Sequence, residues 1–167
     1  YTPYMSNINI LDPKVILVRP QMQENIGAVA RAMANFSLKH LYLVKPRESL
    51  SEKAYATSSG ATDILDNAKI FDMNTQALAQ CQFVLATTAR HRDLNKPVLN
   101  LKNAIKLLLQ KQQEGLQCGF LFGPERTGLE NSDLLLADVL VTVDVNPEFA
   151  SLNLAQCVLL AGYEYYK

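Results

Sequence analysis

Short apolar runs alternate with amphipathic helical stretches along most of this chain, and this alternation limits the possible fold more than any other feature. The runs are four or five residues long and rich in Val, Ile, Leu and Phe, which favours buried strands. They lie at residues 15–18, 40–44, 68–71, 83–86, 118–122 and 139–143, and helical patterns lie at residues 25–36, 51–60, 74–81, 101–113, 132–137 and 151–166. Strands that alternate with helices predict an α/β fold with a mostly parallel sheet flanked by helices.

Length and composition predict one compact domain over residues 1–167. Of the 167 residues, 49% are hydrophobic and 19% are charged, and this balance excludes intrinsic disorder. No apolar run approaches the roughly eighteen residues of a transmembrane helix, and the start of the chain lacks the plan of a signal peptide. The three cysteines are scattered through apolar runs and are predicted to be small buried residues. We therefore expect a protein of the reducing cytoplasm without a membrane partner.

Charge is unevenly distributed, although the 16 basic and 16 acidic residues cancel. Residues 88–111 carry six basic residues against one acidic residue, a net charge of +5, whereas residues 112–167 carry a net charge of −6. A basic segment in a neutral chain is typical of a surface that binds an anionic partner. The Arg-His-Arg cluster at residues 90–92 indicates phosphate contact, while the three lysines of the predicted helix at 101–113 fit the solvated face of a helix equally well.

Several common chemistries have no signature in the sequence. The glycine-rich dinucleotide fingerprint, the Walker phosphate loop and the G-x-S-x-G elbow of serine hydrolases do not occur. His40 and His91 have no acidic or cysteine companions at metal-ligand spacing, so no metal site is expected. Three polar segments remain at the ends of predicted strands, where ligands of open α/β sheets bind.

The first polar segment, residues 25–31, has the pattern N-x-G-x-x-x-R and opens the first predicted helix. Gly27 permits a close approach of another backbone at the start of this helix. Asn25 and Arg31 are less than two helical turns apart, so both side chains can address one cleft. Taken alone, the segment also fits an ordinary N-cap at Asn25 and a surface arginine.

The other two segments follow later strands. Residues 123–129 have the pattern G-x-E-x-x-G-L and predict a tight loop with Glu125 and Arg126 exposed at its tip. Residues 146–153 have the pattern N-P-E-x-x-S-L-N and lead into the last helix, with Ser151 as the predicted N-cap. A helix N-terminus offers unpaired N–H groups to an anionic ligand. Each pattern alone also fits a plain turn or a plain cap.

Together and in this order, the three segments resemble the three motifs of the SpoU branch of the SPOUT RNA methyltransferases, and we call them motifs 1, 2 and 3. The resemblance covers nearly the whole chain and is strongest to the TrmJ-type tRNA ribose 2′-O-methyltransferases. That group carries strings similar to Gly60-Ala-Thr-Asp-Ile-Leu65 and Thr87-Thr-Ala-Arg90. It usually continues into a C-terminal helical extension, which is expected to be absent here because the sequence stops at Lys167.

The resemblance implies a SPOUT α/β fold with a deep trefoil knot in its C-terminal part, and a homodimer. It implies S-adenosylmethionine as cofactor, bound by Thr87, Thr88, Ala89, Gly123, Val143, Ser151, Leu152 and Asn153. The matching catalytic residues are Arg31, Asn25, Glu125, Ser151 and Asn153. Candidate RNA-binding residues are Arg90, Arg92, Lys96, Arg47 and Lys53. Since a guanidinium is a poor base, Arg31 is interpreted as a phosphate clamp and alkoxide stabiliser, with Glu125 organising the motif-2 loop.

The implied function is methylation of a ribose 2′-hydroxyl in tRNA, in the anticodon loop by the TrmJ-type resemblance. The motifs do not separate tRNA from ribosomal RNA as the substrate. A non-catalytic RNA-binding relative is a further alternative, against which stands the presence of all five catalytic residues. A small-molecule α/β enzyme leaves the basic cluster unexplained and offers no competing motif.

Overall fold

A computed structural model describes residues 12–88, 94–145 and 152–167, which form seven strands and seven helices. The strands are β1 (Lys14–Val18), β2 (His40–Val44), β3 (Lys69–Phe71), β4 (Phe83–Thr87), β5 (Val98–Asn100), β6 (Cys118–Phe122) and β7 (Val139–Thr142). The helices are α1 (Gln23–Asn35), α2 (Glu52–Thr57), α3 (Thr62–Asp66), α4 (Asn74–Ala77), α5 (Leu101–Gln113), α6 (Asn131–Leu134) and α7 (Leu154–Tyr166).

The seven strands form one sheet in the order β3-β2-β1-β6-β4-β7-β5, and every neighbouring pair is parallel. The prediction of an α/β fold with a mostly parallel sheet is confirmed. From β1 the chain builds outward to β2 and β3 on one side, while the later strands lie on the other side. The strand order therefore reverses between β1 and β6, and the loops that follow these two strands leave the same edge of the sheet.

Helices cover both faces of the sheet. Since successive residues of each strand point to opposite sides, the side chains on both faces are buried. In β1, Val15 and Leu17 pack with α1, α5 and α7, whereas Ile16 and Val18 pack with residues of α4 and α6 on the other face. Such two-sided burial explains why the strand sequences are continuous apolar runs rather than alternating ones.

Four predicted helices are shorter than expected, and two short elements were not predicted. The helix expected at 51–60 is α2, which ends at Thr57, and the helix expected at 151–166 is α7, which begins at Leu154. The helix expected at 74–81 ends at Ala77, because the N–H groups of Ala79 and Cys81 donate to carbonyls three residues back. The helix expected at 132–137 is α6, which ends at Leu134 for the same reason. The elements α3 and β5 are only five and three residues long, too short to give a periodic pattern.

The predicted knot depends on the path of the chain through residues 146–151, which lie outside the described residues, so it stays a prediction. No helix in the described part of the chain has the length and apolar character needed to cross a membrane. Of the three cysteines, only Cys118 is fully buried, as predicted, while Cys81 and Cys157 are partly exposed. Burial raises the pKa of all three thiols, that of Cys118 to about 11.

Candidate active site

A cavity of about 380 Å³ opens at the edge of the sheet where β4, β6 and β7 end. Ligands of parallel α/β sheets bind at the carboxyl ends of the strands near a reversal of strand order, so this cavity is the candidate site. Its walls come from four segments of the chain. They are Thr87 and Thr88, residues 122–129, residues 141–143 with Val145, and Leu152, Leu154 and Cys157.

Five of the predicted cofactor-binding residues line this cavity together: Thr87, Thr88, Gly123, Val143 and Leu152. Ala89 and Ser151 lie outside the described residues, and Asn153 is exposed and is not part of the lining. The sequence reasoning missed Leu154 and Cys157. Cys157 lies four residues after Asn153, so the helical period could have indicated that it shares a face with motif 3.

Glycine is required at both ends of the motif-2 loop. A Cβ atom at Gly123 would lie 2.3 Å from the backbone N of Leu129 and 2.4 Å from the carbonyl carbon of Gly128. Gly128 has a φ of +68°, in the left-handed region that residues with a side chain rarely adopt. The loop therefore folds back on itself so closely that its first and last residues touch, and its backbone forms one wall of the cavity.

Glu125 is half-buried in this loop and accepts hydrogen bonds from the segment that follows β1. Its carboxylate oxygens lie 3.0 and 3.2 Å from the backbone N of Gln21 and 2.9 Å from that of Met22. Burial alone raises the pKa of this carboxyl, but hydrogen bonds from Met22, Asn25 and Gln21 outweigh it, so the net pKa lies below its ordinary value. The prediction that Glu125 is exposed at the loop tip is wrong, because these donors draw it inward; Arg126 beside it is exposed.

Asn25 is the third donor group around this carboxylate, and its side-chain amide nitrogen lies 3.0 Å from Oε2 of Glu125. The interpretation of Asn25 as an N-cap is wrong, because α1 begins two residues earlier and its N-cap is Met22. Gly27 does permit the predicted close approach: a Cβ there would lie 1.9 Å from the carbonyl oxygen of Ala54 in α2. Motifs 1 and 2 are thus joined directly, 100 residues apart in sequence.

The Arg31 side chain is exposed, lines no part of the cavity, and has no hydrogen-bond or ion-pair partner among the described residues. Six residues of helix turn Arg31 roughly 120° away from Asn25 around the axis of α1 and move it about 9 Å along that axis. The expectation that both side chains address one cleft is therefore not met within a single copy of the chain.

Motif 3 ends in a helix cap, but the capping residue differs from the predicted one. The helix α7 begins at Leu154, and Asn153 is its N-cap, with Oδ1 accepting from the backbone N of Gln156 at 2.8 Å. The Gln156 side chain accepts in return from the backbone N of Asn153 at 3.2 Å, which completes a capping box. The prediction of Ser151 as the N-cap is wrong, since a cap lies next to the first helical residue.

The candidate RNA-binding residues have different surroundings. Arg47 and Lys53 are exposed, and the backbone N of Arg47 donates to the carbonyl of Pro20, which places Arg47 beside the loop that follows β1. Lys96 is partly buried, and its ammonium donates to the carbonyl of Ala137 at 2.6 Å, so it ties two loops together. Arg90 and Arg92 lie outside the described residues. Within the described segments, no group of three or more His, Cys, Asp and Glu side chains is placed to hold a metal ion.

Comparison with known proteins identifies the family. The model of the SpoU rRNA methylase family matches residues 12–163. The chain belongs to this family. A curated SpoU relative, the tRNA (cytidine/uridine-2′-O-)-methyltransferase TrmJ of Sodalis glossinidius, is 40% identical over 152 residues, which are 90% of this chain and 59% of the relative. The chain therefore spans somewhat more than half the length of that curated relative.

Two similar solved structures have the same fold. The crystal structure of TrmJ from Z. mobilis is 49% identical, with a TM-score of 0.86 over 92% of this chain and 68% of that one. A structure described as giving insights into the 2-OH methylation of C/U34 on tRNA is 26% identical, with a TM-score of 0.70 over 92% of this chain and 93% of that one. The SPOUT α/β architecture expected from the three motifs is therefore confirmed.

Proposed function

We propose that this chain is the catalytic domain of a cytoplasmic enzyme that transfers a methyl group from S-adenosylmethionine to a ribose 2′-hydroxyl of tRNA. Membership of the SpoU family and the names of the TrmJ relatives support the reaction and the substrate class. The similar structure that gives insights into the 2-OH methylation of C/U34 on tRNA supports a site in the anticodon loop. The observation that carries the proposal is the carboxylate of Glu125, which lines the cavity and fixes Asn25 of motif 1 to the loop of motif 2.

The cavity fits the proposed cofactor in size and in chemistry. Its volume of about 380 Å³ is within the range of small-molecule sites, roughly 300–1,000 Å³. Gly123 and Gly128 both line the cavity and carry no side chain, so the lining at these two positions is main chain. Val143, Leu152 and Leu154 supply an apolar wall, and Thr88 supplies a hydroxyl. When bound, S-adenosylmethionine supplies a methyl group that its sulfonium charge activates for transfer.

The roles of the catalytic candidates follow from their chemistry. Asn25 and Asn153 orient the ribose, and Ser151 positions the sugar or the cofactor. Glu125 accepts from three groups around the start of α1 and holds that helix to the loop, so its role is to organise the site. A guanidinium presents several donors that match phosphate oxygens, and we assign Arg31 to the RNA phosphate and to the alkoxide that forms as the hydroxyl loses its proton.

Arg31 reaches the reacting ribose, in this proposal, from a second copy of the chain. In one copy it is exposed and lies away from the cavity lining, so a homodimer is required to complete the site. Exposed apolar side chains on α7 support such a contact, since Leu159, Leu160 and Tyr163 are 37%, 37% and 51% exposed. We assign RNA binding to Arg47 and Lys53, which are exposed, and to Arg90 and Arg92 of the basic segment of the sequence.

The test is incubation of the chain with labelled S-adenosylmethionine and either total tRNA or ribosomal RNA, followed by nucleoside mapping of the product. We expect a 2′-O-methyl nucleotide in the tRNA anticodon loop. The Arg31→Ala variant is expected to lose transfer while it binds S-adenosylmethionine with nearly unchanged affinity in calorimetry. If only ribosomal RNA becomes labelled, the substrate is ribosomal RNA rather than tRNA. If the chain binds both cofactor and RNA but transfers no methyl group, it is a non-catalytic RNA-binding relative. Loss of cofactor binding in Arg31→Ala would contradict the assigned role.

A further inference from the structure

Asp133 in α6 is a buried carboxylate outside the three motifs. It is 2% exposed, and its two oxygens accept from three other residues. Nη2 and Nη1 of Arg19 lie 2.8 and 3.4 Å away, Nδ2 of Asn74 lies 2.5 Å away, and the backbone N of Glu130 lies 2.8 Å away. A carboxylate without such partners is costly to bury, so this cluster of donors holds Asp133 in place.

The local helix cap accounts for only one of these contacts. The bond from the backbone N of Glu130 belongs to a capping box at the start of α6. The donors Arg19 and Asn74 come from the ends of other elements, 114 and 59 residues away in sequence. Burial raises the pKa of Asp133, but Arg19 and these hydrogen bonds outweigh it and hold the pKa below its ordinary value, so the group is ionised at neutral pH.

Two sets of contacts join the motif-2 loop region to the segment after β1, and the contact between Arg19 and Asp133 is the second of them. Glu125, within the loop, is bound by residues 21–25, and Asp133, four residues after the loop ends, is bound by Arg19. Both attachments therefore join the loop to the same short segment after β1. Because Gly123 touches Leu129, the two ends of the loop are packed together, and α6 begins two residues after the loop ends. We therefore expect a shift of α6 to move the backbone that lines the cavity.

We propose that the Arg19–Asp133 ion pair is a positioning pair that holds the motif-2 loop in the shape that binds the cofactor. This inference rests on the proposed function, since it assigns the ion pair to the cavity in which S-adenosylmethionine binds. The bidentate approach of the guanidinium fixes both distance and orientation, which a single hydrogen bond does not. Loss of the pair loosens the loop and weakens cofactor binding, while the groups that contact the ribose are unchanged.

The first experiment measures binding of S-adenosylmethionine to Arg19→Gln by calorimetry, at a temperature where circular dichroism shows the variant to be folded. We expect a dissociation constant about tenfold higher, which corresponds to 1.4 kcal/mol. The KM for S-adenosylmethionine rises by a similar factor, and kcat at saturating cofactor changes by less than about threefold. Unchanged cofactor affinity in the folded variant would overturn the proposal.

Tyr55→Phe is the matched control for the loss of a bond to a carboxylate. The Tyr55 hydroxyl donates to Asp66 at 2.6 Å, and neither residue lines the cavity. This variant is expected to bind S-adenosylmethionine like the parent chain. If Arg19→Gln fails to fold, Arg19→Lys tests the same pair, because it keeps the positive charge and removes the two-point geometry of the guanidinium. We expect cofactor binding about threefold weaker in Arg19→Lys, and unchanged affinity there would overturn the proposal.

Hydrogen exchange without ligand separates failure of this inference from failure of the proposed function. In Arg19→Gln, the backbone amides of residues 125–130 are expected to exchange about fivefold faster or more than in the parent chain, with amides of β1 and β6 unchanged. If the parent chain binds no S-adenosylmethionine, the proposed function fails, while faster exchange confined to this loop still supports the positioning role. Equal exchange in both chains would overturn the positioning role, whatever the cofactor result.

Discussion

Replacement of Glu125 by Gln tests how motifs 1 and 2 are held together. The side chain keeps its size, but an amide NH₂ replaces one of the two oxygens that face the N–H groups of Gln21 and Met22 and the amide of Asn25. At least one hydrogen bond to a charged acceptor is lost, which costs about 1.5–3 kcal/mol. Since Glu125 is only half-buried, we expect about 2 kcal/mol, or a fall in Tm of about 4–8 °C for a chain of this size.

The stability difference between the parent chain and Glu125→Gln depends on pH in a defined direction. The pKa of Glu125 is lowered in the folded chain, so its contribution is fully present above the unfolded pKa of about 4.3 and is lost as pH falls through the folded pKa. Asp133 titrates in both proteins, so the difference isolates Glu125. Urea denaturation at pH 7 and at successively lower pH measures it. Equal stability at pH 7, or a gap that stays constant down to acid pH, would refute the reasoning.

Three further changes test other parts of the structure. Gly27→Ala forces a Cβ into a backbone carbonyl of α2 and is expected to lower Tm by more than about 4 °C, despite the gain of about 1 kcal/mol in helix propensity. Gly162→Ala is the control, because its Cβ would meet first the side-chain ring of Phe36 at 3.0 Å. An equal Tm for the two variants would contradict the packing at Gly27. Asn153→Ala removes the cap of α7 and is expected to cost about 1 kcal/mol in urea denaturation, whereas Asn153→Asp keeps the cap and stays near the parent value. Arg47→Ala with Lys53→Ala is expected to reduce the slope of log affinity against log salt by about 1.4 in tRNA-binding titrations, and an unchanged slope would remove both residues from the RNA surface.

Much of the fold could be predicted because its strands are buried on both faces. The apolar runs that became β2 and β6 were located with their bounds, and so was α5, whose face toward the core has a clear helical period. The errors fall where local pattern is weak. The ends of α4 and α6 are set by turns whose hydrogen bonds do not appear in an apolar period, and β5 is a three-residue edge strand beside β7.

The site could be predicted in part for a similar reason. The motif spacing indicated which segments form the site. At Gly123 the residue type itself indicated a close approach of another backbone, because only glycine lacks the Cβ that would block it. Spacing did not indicate that Glu125 turns inward, because its partners Gln21 and Met22 donate through backbone N–H groups that carry no sequence signature. The Arg19–Asp133 pair was missed because its members are 114 residues apart and neither belongs to a repeating pattern.

The hydrogen bonds of Glu125 also have a consequence for the order in which the chain folds. The first turn of α1 is held by the carboxylate of Glu125, which lies 100 residues after Asn25 in the sequence. We expect Glu125 to reach this position only after β6 has paired with β1. Contacts of such long sequence separation form late and slow the folding of a domain, because a long loop must close first. A nascent chain that ends before β6 can form the early strands and helices, but it lacks the motif-2 loop and therefore cannot fix the first turn of α1 beside the cavity.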